Sequence, residues 1–209
     1  MSSAPSPSPS LRQEHAEQTR ARILDALVEL LAATGAEEVS VPEVARRSGV
    51  SLRTIYRYYP TRDDLLDGAG DWIFRQKFGD VPLERTLGDL PAVFAAAAEQ
   101  WETHPELARA MAYSPSGKEL LRKRRERRFE DITRAVARAA PNLSSADHRL
   151  DAAVLGYLQS IRTWVTLRQD VGLGRDETVA AVVAALQTLI EDVRRRDRAA
   201  GRTERGRTG

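Results

Sequence analysis

A basic segment between residues 46 and 62 carries side chains that suit contacts with nucleic acid. The segment holds five arginines and no acidic residue. Arginine donates two parallel hydrogen bonds to guanine in the major groove, and threonine contacts a thymine methyl group or a phosphate. Arg53, Thr54, Arg57 and Tyr58 fall on one side of a short predicted helix. An ordinary pair of solvated basic helices is the alternative interpretation of these residues.

Two predicted helix starts beside these residues favour phosphate binding. Ser51 precedes the short helix, and the free N–H groups of a helix N-terminus attract anions. Arg62 opens the next helix, where a second phosphate would be held in the same way.

The elements that position these side chains are marked by local signals. The run Ser40–Glu43 predicts a capping box at the start of a helix that ends near Gly49. Ser51 and Thr61 are predicted caps of the two helices that follow. The spacing of Val39 with Val44, and of Val50 with Ile55, is typical of hydrophobic staples. Two short helices joined by a glycine-containing turn form a helix-turn-helix.

The sequence of residues 19–69, TRARILDALVELLAATGAEEVSVPEVARRSGVSLRTIYRYYPTRDDLLDGA, resembles the DNA-binding domain of TetR-family transcriptional regulators. The resemblance rests on a glycine-terminated first helix followed by VARRSGVS and TIYRYYPTRDDLL. It implies an all-α homodimer rather than an enzyme. Three N-terminal helices would bind double-stranded operator DNA, and a C-terminal helical domain would bind a small effector and dimerise.

The resemblance also implies individual DNA contacts. Tyr56 matches the family tyrosine that touches the phosphate backbone, whereas Val41 and Pro42 replace residues that contact phosphate in many members. Arg46 or Arg47 would then supply those contacts. The candidate DNA-binding residues are Ser40, Arg46, Arg47, Ser51, Arg53, Thr54, Tyr56, Arg57, Tyr58 and Arg62.

The rest of the chain has the apolar period of helices and no sustained strand alternation. The predicted later helices are 89–103, 104–113, 117–139, 145–170 and 175–198. The predicted organisation is a disordered tail (1–14), a helix-turn-helix domain (15–60), an effector-binding and dimerisation domain (61–198) and a flexible tail (199–209).

Large apolar side chains in the second domain are candidates for an effector pocket, because pockets are mostly apolar with a few polar groups. Packing in the core is the alternative for each of them. The stretch HPELARAM resembles regulators with lipid-like or acyl-CoA effectors, and favours an apolar or lipid-like molecule. The candidate ligand-binding residues are Trp72, Phe78, Trp101, His104, Met111, Tyr113, Tyr157, Arg162 and Trp164.

The predicted helix 175–198 has an apolar stripe and a second face of small residues. Small residues allow a partner helix to approach closely, so we expect a homodimer interface here together with helix 145–170. The alternative is the core of a monomeric bundle. The candidate interface residues are Val154, Leu158, Ile161, Val165, Ala181, Ala184, Ala185 and Thr188.

Charge is concentrated in two runs, although the net charge of the chain is only +2. Residues 122–128 and 194–207 each have a net charge of +5, which leaves −8 for the remainder. The run 122–128 is interpreted first as a solvated helix face. An acidic effector or DNA is its alternative partner.

Several function classes are excluded by residues that the sequence lacks. It has no cysteine, and its three histidines are far apart, so neither a metal site nor a thiol nucleophile is expected. We expect no cofactor, no membrane segment and a cytoplasmic location. The predicted function is a repressor that a small apolar effector releases from a palindromic operator. The alternatives are an effector-independent architectural DNA-binding protein and a helical enzyme.

Gly68 and Gly70 interrupt the helix that begins after Thr61 and leads into the second domain. Glycine inside a helix costs about 1 kcal/mol relative to alanine. Two explanations remain open: close packing against a neighbour, or a soft point at which effector binding tilts the helix.

Overall fold

A computed structural model describes residues 11–34, 39–78 and 86–207, and within these ranges the chain forms helices and no strand. The all-α prediction is therefore confirmed. None of the described helices is long and apolar enough to cross a membrane. The helices are α1 (Leu11–Thr34), α2 (Val41–Ser48), α3 (Leu52–Tyr58), α4 (Arg62–Gln76), α5 (Leu90–Thr103), α6 (Pro105–Tyr113), α7 (Pro115–Leu120), α8 (Arg122–Ala139), α9 (Ser145–Leu158), α10 (Ile161–Val165) and α11 (Arg175–Arg207), with a 3-10 turn at Leu87–Asp89 and a π turn at Thr166–Asp170.

Helix α1 forms one wall of the N-terminal three-helix unit. Ile23, Leu27 and Leu31 recur on one face and are buried almost completely, and α1 packs against α2, α4 and α6. Burial of this face is the main apolar contribution that holds α1 in place. Helix α1 starts at Leu11, inside the predicted disordered tail, whereas residues 1–10 and the predicted terminator Gly35 lie outside the described residues.

The turn between α2 and α3 requires its glycine. Gly49 has φ +67°, in the left-handed region that favours glycine. Both predicted staple pairs are buried. The predicted capping box at Ser40 is wrong, because the Ser40 side chain makes no capping hydrogen bond. The Glu43 N–H donates to the Ser40 carbonyl oxygen instead, and the Glu43 carboxylate accepts from Arg46.

Helix α4 begins with a complete capping box. The Thr61 hydroxyl accepts from the Asp64 N–H at 3.1 Å, and the Asp64 carboxylate accepts from the Thr61 N–H at 3.1 Å. This reciprocal pair satisfies two N–H groups that a helix start leaves without partners. The start of α4 is thereby fixed directly after the helix-turn-helix.

Two of the long helices predicted from the sequence are interrupted. The predicted helix 117–139 divides at Leu121 into α7 and α8, and the Ser114 hydroxyl caps α7 by accepting from the Gly117 N–H. The predicted helix 145–170 divides after α9, because the extended backbone of Ser160 opens α10 and its hydroxyl accepts from the Thr163 N–H. The apolar period continues through both breaks, so it did not reveal them.

The C-terminal helices pack around an aromatic centre. Helix α5 packs against α11, α8 against α9, and α6 against α1 and α10. Trp101 lies between Phe94 and Trp164, with ring centroids 5.9 Å and 6.4 Å away. These rings fix α5 against α10, which brings two walls of a cavity together.

Helix α11 extends to Arg207, through most of the predicted flexible tail at 199–209. The Asn142 N–H donates to the Asp197 carboxylate at 2.7 Å, and the buried Gly201 packs against the Asn142 side chain. These contacts with the loop between α8 and α9 explain the added helical turns. The predicted domain boundary at residue 60 lies between α3 and α4 and remains a prediction.

Candidate nucleic-acid interface and ligand cavity

Helix α3 presents polar side chains to solvent and anchors itself with one apolar residue. Ile55 is completely buried, whereas Arg53, Tyr56 and Arg57 are exposed. Leu52 is also 41% exposed at the start of the helix. The burial of Ile55 fixes the orientation of α3, and the side that carries Arg53, Tyr56 and Arg57 is therefore available to a partner.

The remaining α3 candidates are held in place before any partner binds. The Ser51 hydroxyl accepts from the Thr54 N–H at 3.2 Å and lies 2.9 Å from the Thr54 hydroxyl. The half-buried Tyr58 ring lies between Arg57 and Arg20, each with its guanidinium carbon 5.1 Å from the ring centroid. Such cation–π contacts restrict both side chains.

The α2 candidates differ in how strongly they are held. The Arg46 side chain is 80% exposed and donates to Glu43 at 3.3 Å, and Arg47 donates to Glu29 at 2.9 Å. Ser40 is exposed at the N-terminus of α2. Exposed ion pairs of this kind contribute little to stability, so a phosphate would compete for either arginine at small cost.

Arg62 is held by helix α7. Its guanidinium donates to the Glu119 carboxylate at 2.6 Å and to the Ser116 hydroxyl at 3.3 Å. The Ser116 hydroxyl also accepts from the buried Val39 N–H at 3.0 Å. Helix α7 therefore contacts both the entry to α2 and the start of α4.

The half-buried Tyr59 packs its ring against Gly68 of α4. Burial raises the pKa of its phenol above the usual value, and the nearby Arg20 and Arg75 act in the opposite direction. A Cβ atom at Gly68 would lie 2.7 Å from Cε1 of this ring. Gly68 thus allows the close approach of Tyr59 to α4.

A cavity of about 420 Å³ lies within the C-terminal helices, a size typical of small-molecule sites. Part of its wall is formed by small residues of α6 and α9 and by six large apolar side chains. These apolar residues are Phe74, Trp101, Met111, Leu121, Phe129 and Ile161. Phe74 belongs to α4, so the helix that follows the helix-turn-helix also reaches the cavity.

Four arginines line the same cavity. The guanidinium carbon of Arg124 lies 3.6 Å from the centroid of the Phe74 ring. Arg125 donates to the Lys118 carbonyl oxygen at 2.9 Å, Arg128 to the Gln159 carbonyl oxygen at 3.4 Å, and Arg162 to the Ala112 carbonyl oxygen at 2.9 Å. Among the described residues that line the cavity there is no aspartate or glutamate.

A family model, bacterial regulatory proteins of the tetR family, matches residues 23–69. The match covers α2, α3, the second half of α1 and the first half of α4, and it includes the exposed face described above. The DNA-binding domain is that of a TetR-family transcriptional regulator. Residues 23–69 are therefore the DNA-binding domain of a transcriptional regulator, and the helical enzyme considered from the sequence is set aside.

Solved structures share the fold of about four fifths of the chain at low sequence identity. NalD of Pseudomonas aeruginosa, described as the secondary repressor of the MexAB-OprM multidrug efflux pump, gives a TM-score of 0.60 at 16% identity, covering 83% of this chain and 96% of its own. A transcriptional regulator from Rhodococcus sp. Rha1 gives 0.54 at 21% identity, with 83% and 96% covered. FadR of Bacillus subtilis, in complex with stearoyl-CoA, gives 0.54 at 20% identity, with 81% and 97% covered. A search of curated protein sequences found no match.

Four of the candidate ligand-binding residues line the cavity. They are Trp101, Met111, Tyr157 and Arg162. The other five lie outside its lining. Trp72 donates from its indole nitrogen to Asp25 at 3.0 Å, between α4 and α1. Phe78 is completely buried beside Phe74 and His104.

The last two of these five are also engaged elsewhere. Tyr113 donates to Asp170 at 2.9 Å and lies 2.6 Å from the Thr166 hydroxyl, at the π turn. Trp164 packs behind Trp101. Four of the five were chosen because they are large and lie on helices of the second domain, and His104 was chosen as a polar candidate, but these side chains contact other neighbours.

The sequence did not identify three of the four arginines that line the cavity. It treated residues 122–128 first as a solvated face, whereas Arg124, Arg125 and Arg128 line the cavity. The signal was their spacing, since positions i, i+1 and i+4 share one side of a helix, next to Leu121 and Phe129. The weaker alternative, an acidic effector, is the one that fits this placement.

The dimer candidates fall into three groups in the structure. Val154, Ala181, Ala184 and Thr188 are exposed, and Leu158 and Ala185 are half-buried. Ile161 and Val165 are only 7% and 1% exposed. These last two are corrections, because α10 buries them inside the protomer and leaves them no surface for a second copy.

Proposed function

We propose that this regulator is a repressor that binds a palindromic operator as a homodimer and leaves it when a small, largely apolar molecule occupies the cavity. The observation that carries the proposal is the placement of α4. Its capped start follows the recognition helix α3, and its Phe74 forms part of the cavity wall. Occupancy of the cavity thus acts on the same helix that orients the DNA-binding unit.

The exposed side of α3 supplies the contacts with the operator. Arg53 and Arg57 suit bidentate bonds to guanine, and Tyr56 and Ser51 suit phosphates. Two such helices in a two-fold dimer would enter successive major grooves about 34–36 Å apart. NalD is described as a repressor, which agrees with this direction of regulation.

Two exposed apolar strips support the homodimer. On α9, Leu150, Val154 and Tyr157 recur at helical spacing and are between 50% and 68% exposed. On α11, the exposed small residues Ala181 and Ala184 allow close approach of a partner helix. A second copy that pairs α9 and α11 around a two-fold axis would cover both strips.

The dimer proposal predicts that Ala184→Arg yields monomers, because the interface would bury an unpaired charge. Light scattering at micromolar concentration measures the change, and we expect the wild type to be dimeric. Ala96→Arg, on the exposed side of α5, is the matched control and should remain a dimer. A monomeric wild type would end the proposal.

Helix α7 is the second connection between the cavity and the DNA-binding unit. Arg62 of α4 bonds to Glu119 of α7, and Asp67 of α4 forms an ion pair with Lys123, which follows α7 directly on α8. A ligand that moves α8 therefore acts on α4 directly through the Lys123–Asp67 ion pair, and through α7 by the Arg62–Glu119 ion pair. A ligand shifts such an equilibrium only by its difference in affinity for the two forms.

The release step is tested with an operator selected from random duplexes by the purified protein. Cavity ligands are found as small molecules that raise the melting temperature of the wild type but not of Met111→Trp, which fills part of the cavity. Met111→Leu conserves volume and is the matched control. We expect such ligands to weaken the operator complex in gel-shift titrations. Operator affinity that stays constant while the cavity is occupied would favour the effector-independent architectural protein.

A further inference from the structure

We propose that the cavity selects an amphipathic anion, a molecule with an apolar body and one carboxylate or comparable acidic head group. This inference rests on the proposed function and deepens it, because it names the chemical class of the ligand. It is carried by the composition of the cavity wall: four guanidinium groups, large apolar side chains, and no acidic side chain in the described lining.

The arginines are concentrated at one part of the wall. Arg124, Arg125 and Arg128 lie within about 100° of arc on α8, because successive residues of a helix differ by that angle. Arg162 adds a fourth guanidinium group from α10. The head group therefore belongs between α8 and α10, and the apolar body extends towards Trp101 and the other rings.

The basic run of α8 is divided between cavity and solvent. Arg122 is exposed and pairs with Glu126, and Arg127 is exposed and does not line the cavity. By contrast, Arg124 and Arg128 are half-buried, and Arg124 lies against the Phe74 ring. A purely solvated face would leave every one of these side chains in water, whereas Arg124 and Arg128 line the cavity.

The hydrogen bonds that Arg125 and Arg162 make do not neutralise their positive charges, so these charges can attract an anionic ligand. Their hydrogen bonds go to the Lys118 and Ala112 carbonyl oxygens, which are neutral acceptors, and Arg162 also lies 5.2 Å from the centroid of the Tyr113 ring. Arg162 is half-buried, and Arg125 is exposed at the edge of the cavity. Either guanidinium group can donate two parallel hydrogen bonds to a carboxylate, and the half-buried group gains most from it. A cationic ligand would face four like charges without a carboxylate in the described lining.

Calorimetric titration of the full-length protein with matched probes tests the proposal. One series is decanoate, decanol and decyltrimethylammonium, and the other is 2-naphthoate and 2-naphthylmethanol. The two series distinguish an acyl chain from a flat aromatic body. We expect at least one carboxylate to bind about tenfold more tightly than its alcohol, a typical value for charge-assisted hydrogen bonds, and the cation to bind least.

Variants connect this preference to the named arginines. Arg125→Gln with Arg162→Gln should remove most of the preference for the carboxylate and leave the affinity for the alcohol unchanged. Arg127→Gln removes the same type of charge from an exposed position on α8 and should keep the full preference. Arg125 lies at the exposed edge of the cavity, so Arg125→Gln alone should lower the preference for the carboxylate only in part. This single variant keeps the test available if the double variant does not fold.

Several outcomes overturn the assignment. They are equal affinity for carboxylate and alcohol, tighter binding of the cation, no binding of either carboxylate, and an unchanged preference in the double variant. The proposed function fails on a different result, a bound carboxylate that leaves operator affinity unchanged. If a neutral or cationic cavity ligand releases the operator, the repressor mechanism stands and the anion assignment is wrong.

Discussion

Arginine has two different environments in this protein, on the recognition helix α3 and on the cavity wall of α8. On α3, Arg53 and Arg57 are exposed above the buried Ile55. On α8, Arg124 is half-buried against the Phe74 ring, and Arg128 is half-buried and donates to the Gln159 carbonyl oxygen. The first arrangement suits a partner that carries many negative charges in water, and the second suits one anion that is removed from water.

The physical chemistry of the two environments differs accordingly. Charges exposed on α3 are screened by salt, so their attraction to phosphates weakens steeply as ionic strength rises. Charges at the cavity are screened less, and each bears part of a desolvation cost that an anionic ligand offsets. Exposure therefore distinguishes the arginines of α3 from Arg124 and Arg128, whereas Arg125 is exposed at the edge of the cavity.

The largest effect should come from removing two arginines from one region at a time and measuring both operator binding and ligand binding. Arg53→Ala with Arg57→Ala removes two base contacts, each worth about 1–3 kcal/mol, and should abolish operator discrimination while ligand binding remains. Arg125→Gln with Arg162→Gln should remove most of the preference for the carboxylate ligand while operator discrimination remains. Gel-shift titration and calorimetry of both double variants measure the two affinities. Loss of both activities in either variant would show that the regions are not separable.

A smaller effect is expected at Gly68 and Gly70, where the structure favours close packing over a soft point. A Cβ at Gly68 would lie 2.7 Å from the Tyr59 ring, and one at Gly70 would lie 3.3 Å from both Leu120 Cδ2 and its carbonyl oxygen. Overpacking costs about 1–3 kcal/mol, against about 1 kcal/mol gained in helix propensity. We expect Gly68→Ala to lower the free energy of unfolding in urea titrations. A stabilised variant that needs more ligand to release DNA would instead support the soft point.

The smallest effect is expected from Glu119→Gln, which removes the anionic partner of Arg62. The pair is only partly buried, so its loss should cost about 1 kcal/mol or less in stability. Arg62 would then be held less firmly by α7 and would reach a phosphate more readily. Operator affinity should rise, and the slope of log affinity against log salt should steepen by about 0.9. Arg62→Ala is the control, and it should not show the steeper slope.

The helix-turn-helix was predictable from sequence because its signals are local. Gly49 has the left-handed backbone, and the Ser51 and Thr61 hydroxyls accept from N–H groups three residues ahead. Each of these interactions lies within a few residues of chain, so spacing alone indicates it. The exception is Ser40, where the Glu43 N–H bonds to the backbone carbonyl oxygen instead of the side chain.

The cavity was much less predictable because its wall is assembled from distant helices. Phe74, Trp101 and Arg162 belong to three helices, and their meeting depends on how α4, α5 and α10 pack. The sequence placed large side chains on the correct helices, but helical spacing alone does not distinguish the side facing the cavity from the side facing the core. It therefore selected Phe78 and Trp164, which pack beside the wall, and missed Phe74.

Helix α4 joins Arg62, at its start, to Phe74, about 18 Å further along at 1.5 Å per residue. Any coupling carried by this helix is reciprocal, because a ligand that lowers operator affinity by some factor has its own affinity lowered by the operator by the same factor. Protein that is free of DNA would therefore take up ligand first. The ligand concentration needed to vacate an operator would rise with the amount of unbound protein in the cell, so the abundance of the regulator itself sets part of its sensitivity.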